Sequence, residues 1–335
     1  MTILITGIHG FVGANLVSCL KTSHTIYGVD IIAPQKEGVV KTFSWDDLGA
    51  LCATPLPDVD VIIHLAGKAH DTKNKSNAET YFKINTGLTH RIFDYFLQSK
   101  ARQFIFFSSV KAAADSVVET GHAPSLLTED VIPKPVGPYG QSKIAAENYI
   151  QAQGTRQKAK EQETAFRLSP FTFYPKSVYI LRPCMIHGPG NKGNLNLLYN
   201  IVSKGIPWPL GAYENKRSFM NIWNLSYIVE QFILKNPPSG IYHLADDEPL
   251  STNELIELIA ESRNKKPKIW KLDKTFITTL AQWGNTLKLP LNSERLQKLT
   301  ENYVVSNQKM KTALGIRQLP VDVRTGIKQT LETFK

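Results

Sequence analysis

The 335-residue chain predicts an α/β fold, a doubly wound parallel sheet with a smaller C-terminal α/β lobe. Two observations carry this. Short apolar, β-branched runs alternate with helical stretches through the first half, as successive strand–helix–strand units do. A turn with regularly spaced glycines joins the first strand to the first helix.

The elements follow in order. "TILITG" is an apolar run ended by glycine, so it reads as a strand. "FVGANLVSCLKTS" has helical spacing, with Phe11, Leu16 and Leu20 as buried positions. "TIYGVD" is a second strand, and "DVIIHLAG" a third, apolar on both faces as a covered parallel strand should be. "TYFKINTGLTHRIFDYFLQSK" reads as one long helix, "QFIFFSS" as a strand, "SKIAAENYIQAQ" as a helix and "SVYILRP" as a strand. Segment 154–176 is long for a connection and extends the helix or leaves the surface. Beyond residue 183 the pattern loosens at "HGPGNKGN" and "KGIPWPLG". "FMNIWNLSYIVEQFILK" is then a strand and helix, and "GIYHLAD" a strand. "STNELIELIAESR" is a helix opened by a Ser/Glu capping box. "MKTALGI" and one more helix close the chain.

Bulk properties exclude several classes. With 42% apolar and 20% charged residues, the composition is that of a globular protein. No apolar run is long enough to span a bilayer, and "MTILITG" enters a strand with no basic leader, so no integral membrane segment or signal peptide is expected. Cys19, Cys52 and Cys184 have neither disulfide nor metal spacing. Reduced thiols, a cytoplasmic location and no metal site are the expectation. The basic charge is uneven. Residues 261–335 hold fifteen Lys and Arg against six Asp and Glu, a surplus of nine. That region is a solvated basic face, or it meets an anionic substrate, a nucleic acid or an acidic membrane surface. It has no nucleic-acid-binding motif, so no nucleic-acid partner is expected and a phosphate-bearing small substrate fits better.

The glycine turn is the first chemical signal. In "TGIHGFVG", Gly7, Gly10 and Gly13 supply a tight turn, close backbone approach to a pyrophosphate and close helix–strand packing. The helix start then presents free N–H groups and its positive dipole end to phosphate. Asp30 ends the second strand, seventeen residues after Gly13, where a carboxylate accepts ribose hydroxyls and repels a 2′-phosphate. A Rossmann-type dinucleotide site follows, with NAD(H) favoured over NADP(H). Tyr139 and Lys143, four apart in "YGQSK", are either an ordinary surface pair or a catalytic acid with its activating cation.

A set of motifs running through nearly the whole chain resembles the extended short-chain dehydrogenase/reductases, the nucleotide-sugar epimerase/dehydratase group. In order these are "TGIHGFVG", "HLAG" at 64–67, Asn85 in "INTGLTH", "FSSV" at 107–110, "YGQSK", "LRPCMIHGPG" at 181–190 and "NKRSFMNIWNL" at 215–225. The resemblance implies that Tyr139 is the acid/base. Lys143 favours the phenolate and holds the nicotinamide ribose, and Ser109 binds the reacting oxygen. The cofactor would also meet Gly7, Gly10, Phe11, Val12, Gly13 and Asp30 at the first turn. Leu65, Ala66, Gly67, Asn85 and Pro183 complete that site. For the substrate it implies Lys68, Ser109 and Met185 at the sugar, with His70 as a further pocket residue or a solvated one. Asn194, Leu195 and Arg217 fall at the nucleotide diphosphate, with Arg295 as a second arginine there. Residues 1–183, with a return of about 218–246, would form the NAD(P)-binding domain. Residues 184–217 and 247–335 would bind substrate. The family's dimers pair two long helices, here 79–100 and 139–160, so a homodimer is expected.

Departures narrow the reaction. The group's dehydratases carry an Asp-Glu pair after the catalytic Ser/Thr. Here Val110 and Lys111 stand there, so elimination of water lacks its acid/base pair. Two reactions remain at C4 of a UDP-sugar. "SSVK", "GPGNKGNLNLL" and "PLGAYENKRSFMNIWNL" look closer to 4-ketoreductases acting on UDP-4-keto-6-deoxy-N-acetylhexosamines for surface polysaccharides. UDP-hexose or UDP-N-acetylhexosamine 4-epimerisation is the alternative, and Asp30 leans toward it. A non-catalytic NAD(H)-binding regulator is a further alternative, against which the chain keeps both Tyr139 and Lys143. Ser44-Trp45 and Asp46-Asp47 leave the adenine contact open. Asn224 and His187 replace the family's usual Asp and Tyr.

Overall fold

A computed structural model describes residues 1–49, 57–68, 77–114, 126–167, 176–191, 193–287 and 292–334. The chain begins with β1 (Thr2–Thr6), α1 (Phe11–Leu20), β2 (Thr25–Asp30), β3 (Lys41–Ser44), α2 (Trp45–Gly49) and β4 (Val61–His64). It continues through α3 (Ala78–Tyr81), a π-helical turn over Phe82–Thr86, α4 (Gly87–Gln98) and β5 (Gln103–Phe107). After β6 (Leu126–Leu127) come α5 (Pro138–Arg167), β7 (Ser177–Pro183), β8 (Met185–His187) and α6 (Asn194–Ser203). Next are β9 (Phe219–Asn221), α7 (Ile222–Lys235), β10 (Gly240–Leu244) and α8 (Thr252–Ser262). The last are α9 (Lys274–Leu287), α10 (Ser293–Thr300), β11 (Val304–Val305), α11 (Gln308–Leu314) and α12 (Val323–Glu332).

Seven strands form one parallel sheet in the order β3-β2-β1-β4-β5-β7-β10. Strand order reverses between β1 and β4, so a ligand crevice is expected at their carboxyl ends. Side chains alternate faces along each strand. Ile3, Ile5, Ile63 and Ile105 pack with Leu16 and Val17 of α1 and Ile228 and Phe232 of α7. Leu4, Ile62 and Phe104 face the other way, onto Ile92, Phe93 and Phe96 of α4 and Ala146 and Ile150 of α5. Both faces are covered, which is why these strands read as unbroken apolar runs. A second core joins Leu195, Phe219, Leu255, Ile259, Ile277, Leu296 and Ile327. The capping box is present: the Glu254 amide N–H donates to Ser251 Oγ (3.0 Å) and the Ser251 amide N–H to Glu254 Oε2 (2.8 Å).

Four features differ from the sequence reading or complete it. β3 was not foreseen: it has four residues at the sheet edge, with only Thr42 and Phe43 buried. The long helix over 78–98 is interrupted by the π-turn at Phe82–Thr86. The stretch from 154 continues α5 to Arg167, and 168–175 lie outside the described residues. Tyr303, Val305, Met310, Leu314 and Leu319, read as part of the substrate lobe, pack into the first core. There β11 pairs with β6, and the Tyr303 phenol donates to Ala114 O at 2.7 Å.

Candidate active site

The glycine turn closes over the end of β1. Gly7 takes φ +71°, and a side chain there would meet Ala66 N at 2.8 Å. A Cβ on Gly13 would lie 2.4 Å from Gly7 O and 2.8 Å from Ile8 Cα, so only glycine fits. Gly10 caps α1 without a side chain, and the first turn carries no acidic residue. Phe11, Val12 and Gly13 therefore form a bare, positively polarised helix start. Asp30 is fixed in front of it, accepting the His9 amide N–H and the Ile31 amide N–H, each at 2.8 Å. Of the open adenine candidates, Asp47 is occupied as a cap, accepting the Ser44 amide N–H at 2.6 Å and its hydroxyl at 2.9 Å.

The end of β4 is held by two polar clamps. Thr6 Oγ1 lies 2.6 Å from His64 Nδ1, and the Ala66 amide N–H donates to the same hydroxyl at 3.1 Å. His64 Nε2 meets Thr89 Oγ1 at 2.9 Å, and that hydroxyl donates to Asn85 O at 2.6 Å. Burial, and then the Lys143 charge, hold the His64 imidazole well below its ordinary pKa, so it serves as a neutral brace. Asn85 forms the second clamp. Its Oδ1 accepts the Lys68 amide N–H at 2.7 Å, and its Nδ2 donates to Lys68 O at 3.2 Å and Ser142 Oγ at 2.9 Å. The π-turn carries Asn85, and such turns recur at functional sites. The segment Leu65–Lys68 is thereby tied to the helix that bears Tyr139. Lys68 Nζ also lies 5.9 Å from the Tyr81 ring centre, and His70 falls outside the described residues.

Ser109 lies just beyond β5, and Tyr139 and Lys143 in the first turns of α5. The Tyr139 phenol and the Ser109 side chain share a hydrogen bond, and the Tyr81 ring stands edge-on to Tyr139 at 6.1 Å. Burial raises the Tyr139 pKa above its ordinary value, with the Ser109 hydrogen bond opposing it only in part. The buried Lys143 Nζ donates to Phe107 O at 2.8 Å. Burial lowers this ammonium from 10.5 to about 8, with Glu147, one turn further along α5, acting the other way. The lysine is therefore charged more readily in the unfolded chain. Wild type should gain stability relative to Lys143→Met as pH rises from 8 to 10.5, by about 3 kcal/mol at 1.36 kcal/mol per pH unit. Urea unfolding of both proteins across that range measures it, and parallel curves would contradict the buried ammonium.

Behind Lys143 lies a group that sequence reading missed. Arg182 donates to Glu147 through Nε (2.9 Å) and Nη2 (2.5 Å), and the Ser108 hydroxyl donates to the same carboxylate. Arg182 is 1% and Glu147 0% exposed. The only sequence signals were an arginine inside the apolar strand "VYILRP" and a glutamate four residues after Lys143. His243 lies near Arg182, and burial followed by that positive charge pushes its pKa down to about 4.

The substrate-side residues are spread more widely. Pro183 ends β7 opposite Leu244, and Met185 opens β8 opposite Phe219. Arg217 is bridged by backbone to Leu250 and Tyr303, with Nη2 3.6 Å from Glu301 Oε1. Asn194 starts α6 at an N-terminus without a side-chain cap. The Leu195 side chain is buried in the second core, so only its backbone can serve a ligand. Arg295 lies on α10, and its side chain is outside the described residues. Asn224 has a structural task that aspartate could not perform: its amide donates to Asp246 Oδ1 (2.8 Å) and Val321 O (2.7 Å) and accepts the Val321 amide N–H (3.0 Å). His187 is buried with Nδ1 2.8 Å from Thr330 Oγ1.

A parallel sheet with a glycine-cradled helix start and a Ser–Tyr–Lys cluster beside it defines a dinucleotide-dependent α/β protein. The chain belongs to the NAD dependent epimerase/dehydratase family, whose model matches residues 3–225. It is 30% identical to a UDP-glucose 4-epimerase of Vibrio cholerae, over 99% of this chain and 95% of that one. It is 25% identical to the N-acetyl-alpha-D-glucosaminyl-diphospho-ditrans,octacis-undecaprenol 4-epimerase of Escherichia coli O157:H7, over 79% of this chain and 73% of that one. The fold is shared with the Thermus thermophilus UDP-glucose 4-epimerase complex with NAD, at TM-score 0.71 and 20% identity, covering 100% of this chain and 99% of the other.

Proposed function

We propose that the chain is an NAD-dependent 4-epimerase of a UDP-sugar. The observation that carries this is the Ser109–Tyr139 hydrogen bond at the sheet's carboxyl edge, followed by Val110 and Lys111 where elimination would need carboxylates. The sequence motifs put one-way 4-ketoreduction first. Similarity to the Vibrio cholerae 4-epimerase along nearly the whole chain favours epimerisation, and reduction becomes the second reading. The glycine cradle and the anchored Asp30 fit the cofactor, and the fixed carboxylate favours NAD(H) over NADP(H). When bound, NAD supplies a reversible hydride acceptor for C4.

In this reading Tyr139 takes the proton from the C4 hydroxyl as hydride leaves C4, and gives it back to the C4 oxygen once the keto sugar has turned and hydride has returned to the opposite face of C4. Ser109 holds the oxygen, and Lys143 binds the nicotinamide ribose and favours the phenolate once drawn from Phe107 O. Met185 and Lys68 face the sugar. Arg217, Arg295 and the start of α6 at Asn194 and Leu195 receive the diphosphate, a group present in both curated relatives' substrates. A cytoplasmic homodimer through α4 and α5 completes the proposal. Those helices already pack together, with His90 stacked on Tyr149.

Separate incubation with UDP-glucose, UDP-N-acetylglucosamine and UDP-4-keto-6-deoxy-N-acetylglucosamine tests this, with products read by NMR and NAD(H) compared with NADP(H). The expected result is a C4-epimer mixture from one of the first two, without net use of NADH. Stoichiometric NADH loss with the keto sugar alone would make the enzyme a reductase. A 4-keto-6-deoxy product from a hexose would contradict both readings. Cofactor binding without any product would favour the regulator.

A further inference from the structure

The strongest surface feature lies far along the chain from the catalytic trio, on α9 and the segment leading into it. Along α9, Phe276, Leu280 and Trp283 follow one another at helical spacing and are 55%, 38% and 62% exposed. The neighbouring face of the helix carries Ile277 and Ala281, which are buried in the second core. The helix is therefore firmly seated, and its apolar stripe faces solvent as a second, uncovered face. Trp270, 54% exposed, stands just before it.

Trp270 is not on a fraying loop. Its segment is laced to 208–211: the Trp208 amide N–H donates to Lys268 O (2.8 Å), the Trp270 amide N–H to Trp208 O (2.8 Å), and the Gly211 amide N–H to Trp270 O (3.0 Å). The backbone thus holds the indole outward on a fixed support. The charge around it has one sign. From Arg263 to Leu287 there are six Lys and Arg against a single carboxylate, Asp273. Asp273 is engaged as a cap, accepting the Phe276 amide N–H at 3.0 Å. Lys266, Lys268 and Lys271 are exposed, and among the described residues none has a carboxylate partner.

We propose that this face docks the protein peripherally on an anionic lipid bilayer. Trp and Phe favour the interfacial level of a membrane, and lysines beside them reach the acidic headgroups. Neither a short apolar stripe nor a few lysines anchors stably alone, and here both occur on one continuous segment. A second copy fits poorly. Two-fold pairing of this face would set the two lysine clusters against each other with no acidic residue on α9 to answer them. An exposed apolar stripe is also more than a simple polyanion requires. The inference is independent of which C4 reaction the enzyme performs.

Co-sedimentation of the full chain with vesicles tests the proposal, comparing phosphatidylcholine alone with a phosphatidylcholine–phosphatidylglycerol mixture at low and high salt. Binding to the anionic vesicles only, weakened by salt, is expected, with a blue shift of tryptophan emission. Lys266→Gln, Lys268→Gln and Lys271→Gln together should weaken it roughly 100-fold, at about 5-fold per lysine. Trp270→Ser with Trp283→Ser should abolish both the binding and the blue shift, with circular dichroism unchanged. Should that pair misfold, the lysine variant and Trp283→Ser alone carry the test. The proposal falls if anionic vesicles are not bound or neutral ones are bound equally well. It also falls if both variants bind like wild type. A drop in oligomer mass by light scattering for Trp283→Ser would give the face to a second copy, and would equally overturn it.

Discussion

Tyr139→Phe should lower kcat by roughly 10²- to 10⁴-fold while leaving the fold and dinucleotide binding in place. The change removes one oxygen. Its recorded polar partner is the Ser109 side chain, while the ring keeps its edge-on contact with Tyr81. The glycine cradle and Asp30 are untouched, so titration with NADH followed by fluorescence should give a near wild-type Kd. The proton acceptor, by contrast, is gone, and no carboxylate follows Ser109 to replace it. The pH profile adds a second readout. Burial raises the phenol's pKa, and in the proposed mechanism the Lys143 ammonium favours its deprotonation. Wild-type kcat/KM should therefore rise with pH until Lys143 loses its charge at about pH 8, and the residual activity of the variant should lose that rise. Wild-type turnover by the phenylalanine variant would remove Tyr139 from the chemistry.

Glu147→Ala should be the most destabilising single change near the site, at about 3–5 kcal/mol. The Arg182 guanidinium is bound by both carboxylate oxygens in a fully buried position, and the Ser108 hydroxyl depends on the same carboxylate. Removing Glu147 leaves a buried cation and a buried hydroxyl without their acceptor. Glu147→Gln, which keeps one acceptor oxygen, should lose less. The effect reaches Lys143 as well. Glu147 holds the lysine's pKa up against burial, so either variant should move it below about 8. Denaturant unfolding reports the first effect and the alkaline limb of the activity profile the second. An unchanged unfolding midpoint for the alanine variant would mean the ion pair contributes nothing to stability.

These groups mark where the sequence was legible. Gly7, Gly13 and Asp30 could be read because each answers a local demand: a turn, a close approach, a strand end. Most sheet strands could be read because both faces are covered and apolar residues run unbroken through them. β3 could not, since an edge strand with two inward side chains leaves too little pattern. Nor could the π-turn, because the extra residue in its backbone leaves no compositional trace in "FKINT". The Glu147–Arg182 pair joins a helix to a strand 35 positions away, and only tertiary packing brings them together. Spacing placed Lys143 one turn from Tyr139, but the end of β5 supplies the carbonyl that takes its ammonium.

The strand order also governs how the protein must be made. β7 ends at residue 183, but the strand that covers its outer edge, β10, ends at residue 244. Ser109, Tyr139, Lys143 and the buried ion pair all precede that covering strand. A ribosome adds about 5–20 residues per second, so roughly 60 residues of synthesis separate the two strands by some 3–12 seconds. Through that interval the nascent chain can hold Ser109, Tyr139 and Lys143 while an unpaired parallel edge stands open beside them, a template for pairing with a neighbouring chain.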